Sequence, residues 1–208
     1  TIATSAAPPT APAQCPPAPA SLVVMPFDNL GPPEDAYFAH GVVEEITAAL
    51  SRIRDFLVIA RQSAYAFQGS FVDVREVGRE LGVRYVVEGT VRRGGDRVRI
   101  SVQLVDAASR AQLWSDRYDG EMTDIFAFQD AIAAQVAGAI QPSIRSSEIR
   151  TARSKAPESL TAYDLLLRAY PHFWAHDRAE NALAIRLLDQ ALSHDPDYGV
   201  AMALNSWC

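Results

Sequence analysis

The chain has 208 residues, of which 49% are hydrophobic and 21% charged, values typical of a soluble globular protein with one fair-sized domain and a smaller appendage. No apolar run approaches the roughly 20 residues that a membrane-spanning helix needs, and the first residues lack the basic and apolar parts of a signal peptide. The formal net charge of −6 argues against nucleic acid as the main partner, because contacts with phosphates require a concentration of Lys and Arg.

The first segment, residues 1–20, carries many prolines and alanines and no charge. It cannot bury enough apolar surface to offset the entropy lost on ordering, so we interpret it as an extended linker. A linker at the start predicts that a further domain precedes it in a longer protein. Cys15 lies in this segment and Cys208 is the last residue, and neither position suits a disulfide framework or a zinc cluster, which is compatible with a reducing compartment.

The next part is predicted to form a strand, a helix and a second strand. The run SLVVMPF predicts a strand over residues 22–27, and FLVIAR predicts another over 56–61. Between them, apolar residues at helical spacing predict a helix over about 35–51. The stripe that it buries comprises Phe38, Val42, Ile46, Ala49 and Ile53. The order strand, helix, strand favours a right-handed parallel crossover.

His40 and Glu44 lie one helical turn apart on this helix, at the spacing of two metal ligands or of an acid/base pair. They fall on the side opposite the buried stripe, together with Thr47 and Ser51. Two such residues without a third ligand or a cleft are best explained as solvated helix surface. We therefore predict neither a metal site nor a catalytic site here.

A hairpin gives the clearest local pattern of the chain. Two alternating strands in RYVVEGTVRRGGDRVRISVQLVD flank Gly94-Gly95, which suits a tight turn that needs positive φ. The register that follows pairs Val91 with Val98, Val87 with Val102 and Tyr85 with Leu104, all on one face. The other face carries Glu88, Thr90, Arg92, Arg97, Arg99 and Gln103. A short helix over DVREVGREL precedes the hairpin, and a strand over AQLWSDRYDG follows it.

The last third of the chain is predicted to be helical. An amphipathic helix begins after the capping residue Thr123 and ends at Pro142. The charged segment 143–157 is interpreted as a connector or as a continuing exposed helix. Two further helices are predicted within 158–208, with Pro171 as an irregularity in the first.

The second of these helices resembles the second half of a tetratricopeptide repeat. The residues that carry this pattern are Ala184, Leu188, Ala191 and Pro196. The first helix lacks the usual aromatic and Leu-Gly pattern of such a repeat. Trp174 and Trp207 are interpreted as packing residues between helices.

From Ser21 onward the chain closely resembles the TolB-like domain that many bacterial proteins carry between an output domain and tetratricopeptide repeats. The segments that carry the resemblance are VVMPFDNLG, YFAHGVVEEITAALSRI, FLVIARQSAYAFQG, VDVREVGRELGVRYVVEGTVRRGGDRVRISVQLVDAASRAQLWSDRYDG and DIFAFQDAIA. The resemblance implies an α/β fold with a layered mixed β-sheet and flanking helices, followed by an α-helical tetratricopeptide-like hairpin. Members usually carry Asp where this chain has His40.

The resemblance also implies a division of the chain and an upstream domain. The predicted parts are a linker over 1–20, a TolB-like domain over 21–142, a connector over 143–157 and a tetratricopeptide-like region over 158–208. In this family the upstream domain is a class III adenylate/guanylate cyclase or, in another branch, a winged-helix DNA-binding domain. The segment AYDLLLRAYPHF and the Pro/Ala linker resemble the cyclase branch.

Two surfaces are predicted as candidate binding sites for a ligand or partner. Ligands of open α/β sheets favour the carboxyl ends of parallel strands, which would bring Asp28 and Asn29 near Arg61 and Ser63. The alternative is structural, with Asp28 paired to Arg61 and Ser63 capping a turn. The second surface consists of the hairpin arginines Arg92, Arg97 and Arg99, which would meet an acidic partner or, alternatively, keep an exposed strand soluble.

The chain contains no Gly-rich phosphate loop, no nucleophile beside a base and no ligand cluster, so we predict no catalysis and no cofactor. The predicted function is a regulatory, sensory or docking module of a bacterial cyclase. The alternative is an effector module of a winged-helix transcription regulator, and a third hypothesis, an independent hydrolase or metalloenzyme, rests on His40. The partner would be the protein's own cyclase domain or another protein, and family analogy adds a homodimer. The expected location is the cytoplasm, or the periplasm if a transmembrane helix lies upstream.

Overall fold

The computed structural model describes residues 20–67, 73–121 and 124–208. The predicted linker, apart from Ala20, lies outside these ranges, as do Cys15 and Thr123. In the described residues the strands are β1 Ala20–Val24, β2 Asp28–Asn29, β3 Phe56–Val58, β4 Tyr85–Gly94, β5 Arg97–Asp106 and β6 Gln112–Glu121. The α-helices are α1 Ala36–Ser51, α2 Arg61–Tyr65, α3 Val74–Leu81, α4 Ile125–Ser154, α5 Ala162–Phe173, α6 Arg178–His194 and α7 Gly199–Trp207.

The strands form one mixed sheet in the order β3-β1-β4-β5-β6, and β2 pairs with β4 beside β1. β1 is parallel to both β3 and β4, whereas β4, β5 and β6 pair antiparallel. The parallel pairing of β1 with β3, which α1 connects, confirms the predicted strand-helix-strand unit. A mixed sheet with flanking helices confirms the predicted fold class. The strand predicted over 56–61 is observed as β3, which is shorter than predicted because α2 begins at Arg61.

β1 and β2 run along the same edge of β4 with one extra residue between them. The numbering offset between paired residues falls by one from the β1–β4 ladder to the β2–β4 ladder. In this bulge the ring of Phe27 lies over Gly89, where an added Cβ would approach the ring to 2.6 Å. Glycine is required at this position of β4 because of that close approach.

The β4–β5 hairpin turns at Gly95-Asp96, so the predicted Gly94-Gly95 turn lies one residue early and the predicted register is wrong by two residues. Gly94 still belongs to β4 and pairs with Arg97. Gly95 has φ +64°, as glycine does at the first central position of a type II′ turn, and that turn needs no second glycine. The observed pairs are Val87 with Leu104, Val91 with Ile100 and Tyr85 with Asp106. A shift of two residues leaves every side chain on its face, so the predicted buried face is correct.

One face of the sheet is covered by α1 and α4, which together with it form the main core. Fully buried side chains from all three parts meet in this core: Leu22, Phe38, Ile46, Val87, Ile100, Leu104, Ile132 and Ile140. Ala49 and Ile53, predicted in the buried stripe of α1, are half-buried at its margin. Burial of these side chains provides the main stabilisation of the fold.

The opposite face of the sheet is covered along only part of its area. A second, smaller apolar cluster lies under α2 and α3 and comprises Val23, Ala64, Val77, Val83, Val86 and Ala107. α3 ends as predicted at Gly82, which takes the left-handed conformation with φ +66°. The remaining part of this face, along β4, β5 and β6, carries polar and charged side chains, and we call it the open face.

α4 continues through Pro142 to Ser154, so the predicted end at Pro142 is wrong. Proline removes one intrahelical hydrogen bond, but tertiary packing sustains the helix, because side chains beyond Pro142 are buried. These are Ile144, Ser147, Glu148 and Ala152. The segment 143–157, predicted as a connector or a continuing exposed helix, is thus a partly buried helix as far as Ser154. The helix is capped by Asp124, whose carboxylate accepts a hydrogen bond from Ala127 N.

Helices α5, α6 and α7 pack together beyond α4. Thr161 and Asp164 form a capping box at the start of α5, and Pro171 lies within that helix. The small residues of the repeat-like pattern in α6 are buried, as their spacing predicts, whereas α7 was not predicted. Trp174 and Trp207 are 57% and 80% exposed, so their interpretation as packing residues is wrong. Among the described residues no helix is both long and apolar enough to cross a membrane.

Candidate functional site

A cleft of about 810 Å³ lies where the open face meets the β1–β2 segment and the start of α1. Its floor is formed by polar side chains of β4, β5 and β6: Glu88, Thr90, Ser101, Gln103, Ser115 and Arg117. Phe27, Asp28, Asn29 and His40 contribute to its wall. A concave surface with several polar groups is the usual form of a binding site.

Glu88 and Gln103 form the central polar contact of the cleft floor. Gln103 Nε2 donates a hydrogen bond to Glu88 Oε2 at 2.9 Å, between directly paired residues of β4 and β5. Thr90 and Ser101 form a pair further along the same two strands, and Ser115 lies opposite Gln103 on β6. The floor therefore presents hydrogen-bond donors and acceptors, while Met25, Phe27 and Val102 add apolar surface to the same cleft.

Asp28 and Asn29 both line the cleft, but they have different roles. Asn29 is used by the chain itself: its amide donates to Pro32 O at 2.7 Å, and its carbonyl oxygen accepts from Gly31 N at 3.0 Å. Asp28 is exposed and forms no ion pair within the described ranges. Its carboxylate is therefore the group of this pair that is available to a ligand.

Arg61 and Ser63 are not among the residues that line this cleft. Arg61 Nη1 pairs with Glu44 Oε2 at 3.1 Å, and the guanidinium lies 5.7 Å from the ring centroid of Tyr65. The structural alternative, an Asp28–Arg61 pair, is therefore wrong, because Glu44 is the partner. Ser63 lies inside the short helix α2 and does not cap a turn after it.

The side of α1 that carries His40 and Glu44 is not plain solvated surface. The His40 ring contacts the Tyr65 ring edge-on, with centroids 5.7 Å apart, and His40 also lines the cleft. Glu44 is exposed but holds Arg61. The prediction missed these contacts because α2 approaches α1 only in the folded sheet. The described part of the chain contains no group of three or more His, Cys, Asp or Glu that could hold a metal ion.

The hairpin arginines lie on the open face, as their alternation predicts. Arg99 is directly paired with Arg92 across the hairpin, and its guanidinium binds the Asp119 carboxylate of β6, with Nε 2.6 Å from Oδ1. This hydrogen bond and the guanidinium charge hold the pKa of Asp119 below its ordinary value. Arg92 and Arg97 are exposed and form no ion pair in the ranges that the structure describes.

Two contacts between half-buried arginines and buried carboxylates were not predicted from the sequence. Arg93 Nη1 binds Asp35 Oδ1 at 2.8 Å and joins the hairpin to the start of α1. Arg84 binds Asp106 at 3.2 Å and Glu148 at 2.7 Å, which joins β4 and β5 to α4. One sequence signal was available for the Arg93–Asp35 contact: strand alternation puts Arg93 on the same face as Val91, which is the buried face.

Tyr85 completes the second of these contacts. Its hydroxyl donates a short hydrogen bond to Glu148, and its side chain is fully buried. Burial, first, and then the Glu148 carboxylate raise the pKa of Tyr85 well above its ordinary value, so the hydroxyl stays protonated. Arg84 and Tyr85 together neutralise and satisfy Glu148, so we assign them a structural role.

Comparison with known proteins relates the chain to a family of transcriptional regulators and to a putative adenylate cyclase. Residues 18–135 match the family model described as HilA/YgeH-like transcriptional regulator, second domain. The chain is also 40% identical over 188 residues to "Putative adenylate cyclase 3" of Rhizobium meliloti (strain 1021). This match covers 90% of the chain and 32% of the relative, so the chain spans about a third of that protein's length.

Several solved structures are similar in fold to part of the chain. Lipoprotein GNA1162 from Neisseria meningitidis matches with a TM-score of 0.45 and 21% identity, over 57% of this chain and 97% of that chain. TolB from Acinetobacter baumannii matches with a TM-score of 0.44 and 17% identity, over 62% of this chain and 28% of that chain.

Proposed function

The chain belongs to the family of HilA/YgeH-like transcriptional regulator second domains, and from this premise we propose that it is a non-catalytic regulatory or docking module of a bacterial adenylate or guanylate cyclase. One observation carries the proposal. The match to the Rhizobium meliloti relative takes in 90% of this chain and leaves about two thirds of the relative outside it. In the proposal, catalysis belongs to that other part of the protein and the present chain controls or positions it.

The open face supplies the contact surface in this proposal. Arg92 and Arg97 are exposed on the open face, and Asp28 is exposed at the wall of the cleft. None of the three forms an ion pair within the described residues, so all remain available to another domain. The cleft beside them offers hydrogen-bonding groups. The partner is then the protein's own cyclase domain or another protein, in the cytoplasm, and a homodimer would allow two catalytic domains to meet.

The family match favours a second candidate function. The family comprises second domains of transcriptional regulators. In this alternative the same fold would act as the effector module of a winged-helix regulator. The net charge of −6 makes DNA a poor partner for the chain itself, and in this alternative an attached domain binds the DNA.

The deciding experiment uses the natural protein that carries this chain. It is produced whole and with residues 21–208 removed, the Pro/Ala segment being retained, and the cyclic nucleotide formed from ATP or GTP is measured. A large change in rate on removal, in either direction, is the expected result and supports a regulatory module.

Two other outcomes redirect the proposal. Equal rates from both proteins exclude control of catalysis and leave docking, which co-purification of the separated parts would test. Absence of cyclase activity from both, together with sequence-specific DNA binding by the whole protein, would establish the transcriptional alternative instead.

A further inference from the structure

Strand β6 forms one long edge of the sheet. The strand order is β3-β1-β4-β5-β6, so β6 pairs with β5 on one side and with no other strand of the described residues on its outer side. It has 10 residues, whereas β3 at the opposite edge has 3. An edge strand presents a row of backbone N–H and C=O groups that can pair with a further strand.

The outer side of β6 is accessible along most of its length. Every second residue of its second half is exposed, namely Ser115, Arg117, Asp119 and Glu121. Arg117 N donates to Asp116 Oδ1 at 2.8 Å, so the ladder with β5 leaves this amide unused. Alternate residues of an edge strand turn their backbone groups to the same side, so the other three exposed residues also direct theirs outward.

The margin of the main core lies along the same edge. Trp114 and Tyr118 are on the side of β6 that faces α4, and both are only half-buried. Phe128 of α4 lies against Gly120 and is also half-buried. A strand added beside β6 would extend the sheet and cover this margin, which removes apolar surface from water.

The charges of β6 restrict which strand can pair with it. Charged residues on an edge strand commonly prevent pairing, and this strand carries Asp116, Arg117, Asp119 and Glu121. When two copies of one strand pair antiparallel about a two-fold axis, residues directly opposite lie on the same face. The axis then passes through one residue, which faces its own copy, and the choice of that residue sets every other pair.

One register makes β6 complementary to itself. With the axis at Tyr118, Arg117 lies opposite Asp119 of the second copy, and this pair occurs twice. Asp116 then lies opposite Gly120, so no like charges oppose each other. An axis at Asp116, Arg117 or Asp119 would instead set a charge against its own copy, which is destabilising. The register at Tyr118 alone sets Arg117 opposite an acid without opposing two like charges.

We propose that the chain forms a homodimer through β6, whose two copies pair antiparallel about Tyr118 and join the two sheets. The role of this dimer rests on the proposed function, in which a homodimer brings two catalytic domains together. The pairing uses the edge of the sheet and leaves the open face free for the contact with another domain.

The first test measures self-association of the 208-residue chain by sedimentation over a range of concentrations. A contact of this size should give a Kd of about 1–100 μM. Arg117→Asp should weaken the dimer about tenfold or more, because it sets two acids opposite each other twice. Arg117→Asp combined with Asp119→Arg should restore it. Arg75→Asp, the same charge change at an exposed site of α3, should leave the dimer unchanged.

A disulfide crosslink tests the register and does not depend on the charge variants. In a chain with Cys15→Ser and Cys208→Ser, Tyr118→Cys would place two Cα atoms about 4.5 Å apart across the axis, within reach of a disulfide. Asp116→Cys is the control, because its copy lies four residues along the strand, about 13 Å away. Mild oxidation should crosslink the first variant and not the second.

The inference is overturned if the chain stays monomeric up to about 1 mM, or if Arg117→Asp dimerises as the unchanged chain does. Equal crosslinking of the two cysteine variants would exclude the register. The outcome is separable from that of the regulatory proposal. A monomeric chain whose removal still alters the cyclase rate would overturn only the dimer, whereas a dimeric chain whose removal leaves the rate unchanged would overturn only the control of catalysis.

Discussion

Strands β4 and β5 have one face that α1 and α4 cover and one face that is open, and successive residues of the same strand experience opposite conditions. Val87 and Leu104 are directly paired and fully buried on the covered face. Glu88 and Gln103, the next pair, lie on the floor of the cleft. Packing constrains the covered face, whereas the open face is free to carry polar groups, which contact a partner in the proposed function.

The largest difference between the faces is expected for two adjacent residues of β5. Leu104→Ala removes buried methyl groups and leaves a cavity, and should lower the free energy of unfolding by about 2–5 kcal/mol. Gln103→Ala loses one partly exposed hydrogen bond and should cost below about 1 kcal/mol. Urea unfolding of both variants measures the difference, and similar costs would contradict the assignment of the two faces.

A smaller effect is expected where the backbone itself requires glycine. Gly89→Ala places a Cβ within 2.6 Å of the Phe27 ring and 2.7 Å of Ser101 O, and should destabilise the protein by about 1–3 kcal/mol. Gly94→Ala in the same strand is the matched control, because nothing lies within 4 Å of its Cβ position. If both variants unfold at the same urea concentration, the bulge at Phe27 is not rigid.

Asp106, the last residue of β5, provides a test of how the stability of the fold depends on pH. Burial alone would raise the pKa of this carboxyl, but hydrogen bonds from Ser109 and the charge of Arg84 outweigh it and hold the pKa below its ordinary value. The folded state therefore binds fewer protons than the unfolded state. The contribution of Asp106 is complete above the unfolded pKa of about 3.9 and is lost as the pH falls through the folded pKa.

Asp106→Asn should accordingly cost about 1–2 kcal/mol at neutral pH, and its deficit relative to the unchanged protein should shrink in acid. Urea unfolding of both proteins at several values between roughly pH 3 and 7 measures this. A deficit that stays constant down to the lowest pH would mean that the ionised form of Asp106 adds no stability.

The sequence predicts those parts of the fold that depend on periodicity. Helical spacing identified α1 and α6, and alternation identified which hairpin residues are buried, even though the turn was placed one residue early. The helix-ending preference of proline is also a local signal, and it misled at Pro142, which lies inside α4. The burial of Glu148 against Arg84 and Tyr85, which sustains that helix, involves residues more than 60 positions apart.

The candidate site was predicted less well for the same reason. Asp28 was expected after the end of the first strand, but it lies in β2, which continues along β4 and borders the cleft. Its expected neighbour Arg61 instead binds Glu44, a choice that depends on how α2 lies against α1. The cleft floor was visible only as the polar half of an alternating pattern.

The smallest effect is expected for the Arg99–Asp119 pair on the open face. Both side chains are largely exposed, so water and salt screen their attraction. Arg99→Ala should lower Tm slightly at low ionic strength and not at all in about 1 M salt, and Arg92→Ala, which breaks no ion pair in the described residues, should leave Tm unchanged at both. An equal decrease at both salt concentrations would mean that Arg99 contributes packing and that the open face also stabilises the fold. If Tm stays constant while either substitution alters the proposed regulation of a cyclase in the whole protein, the open face is the contact surface, since its charges then act on a partner and not on folding.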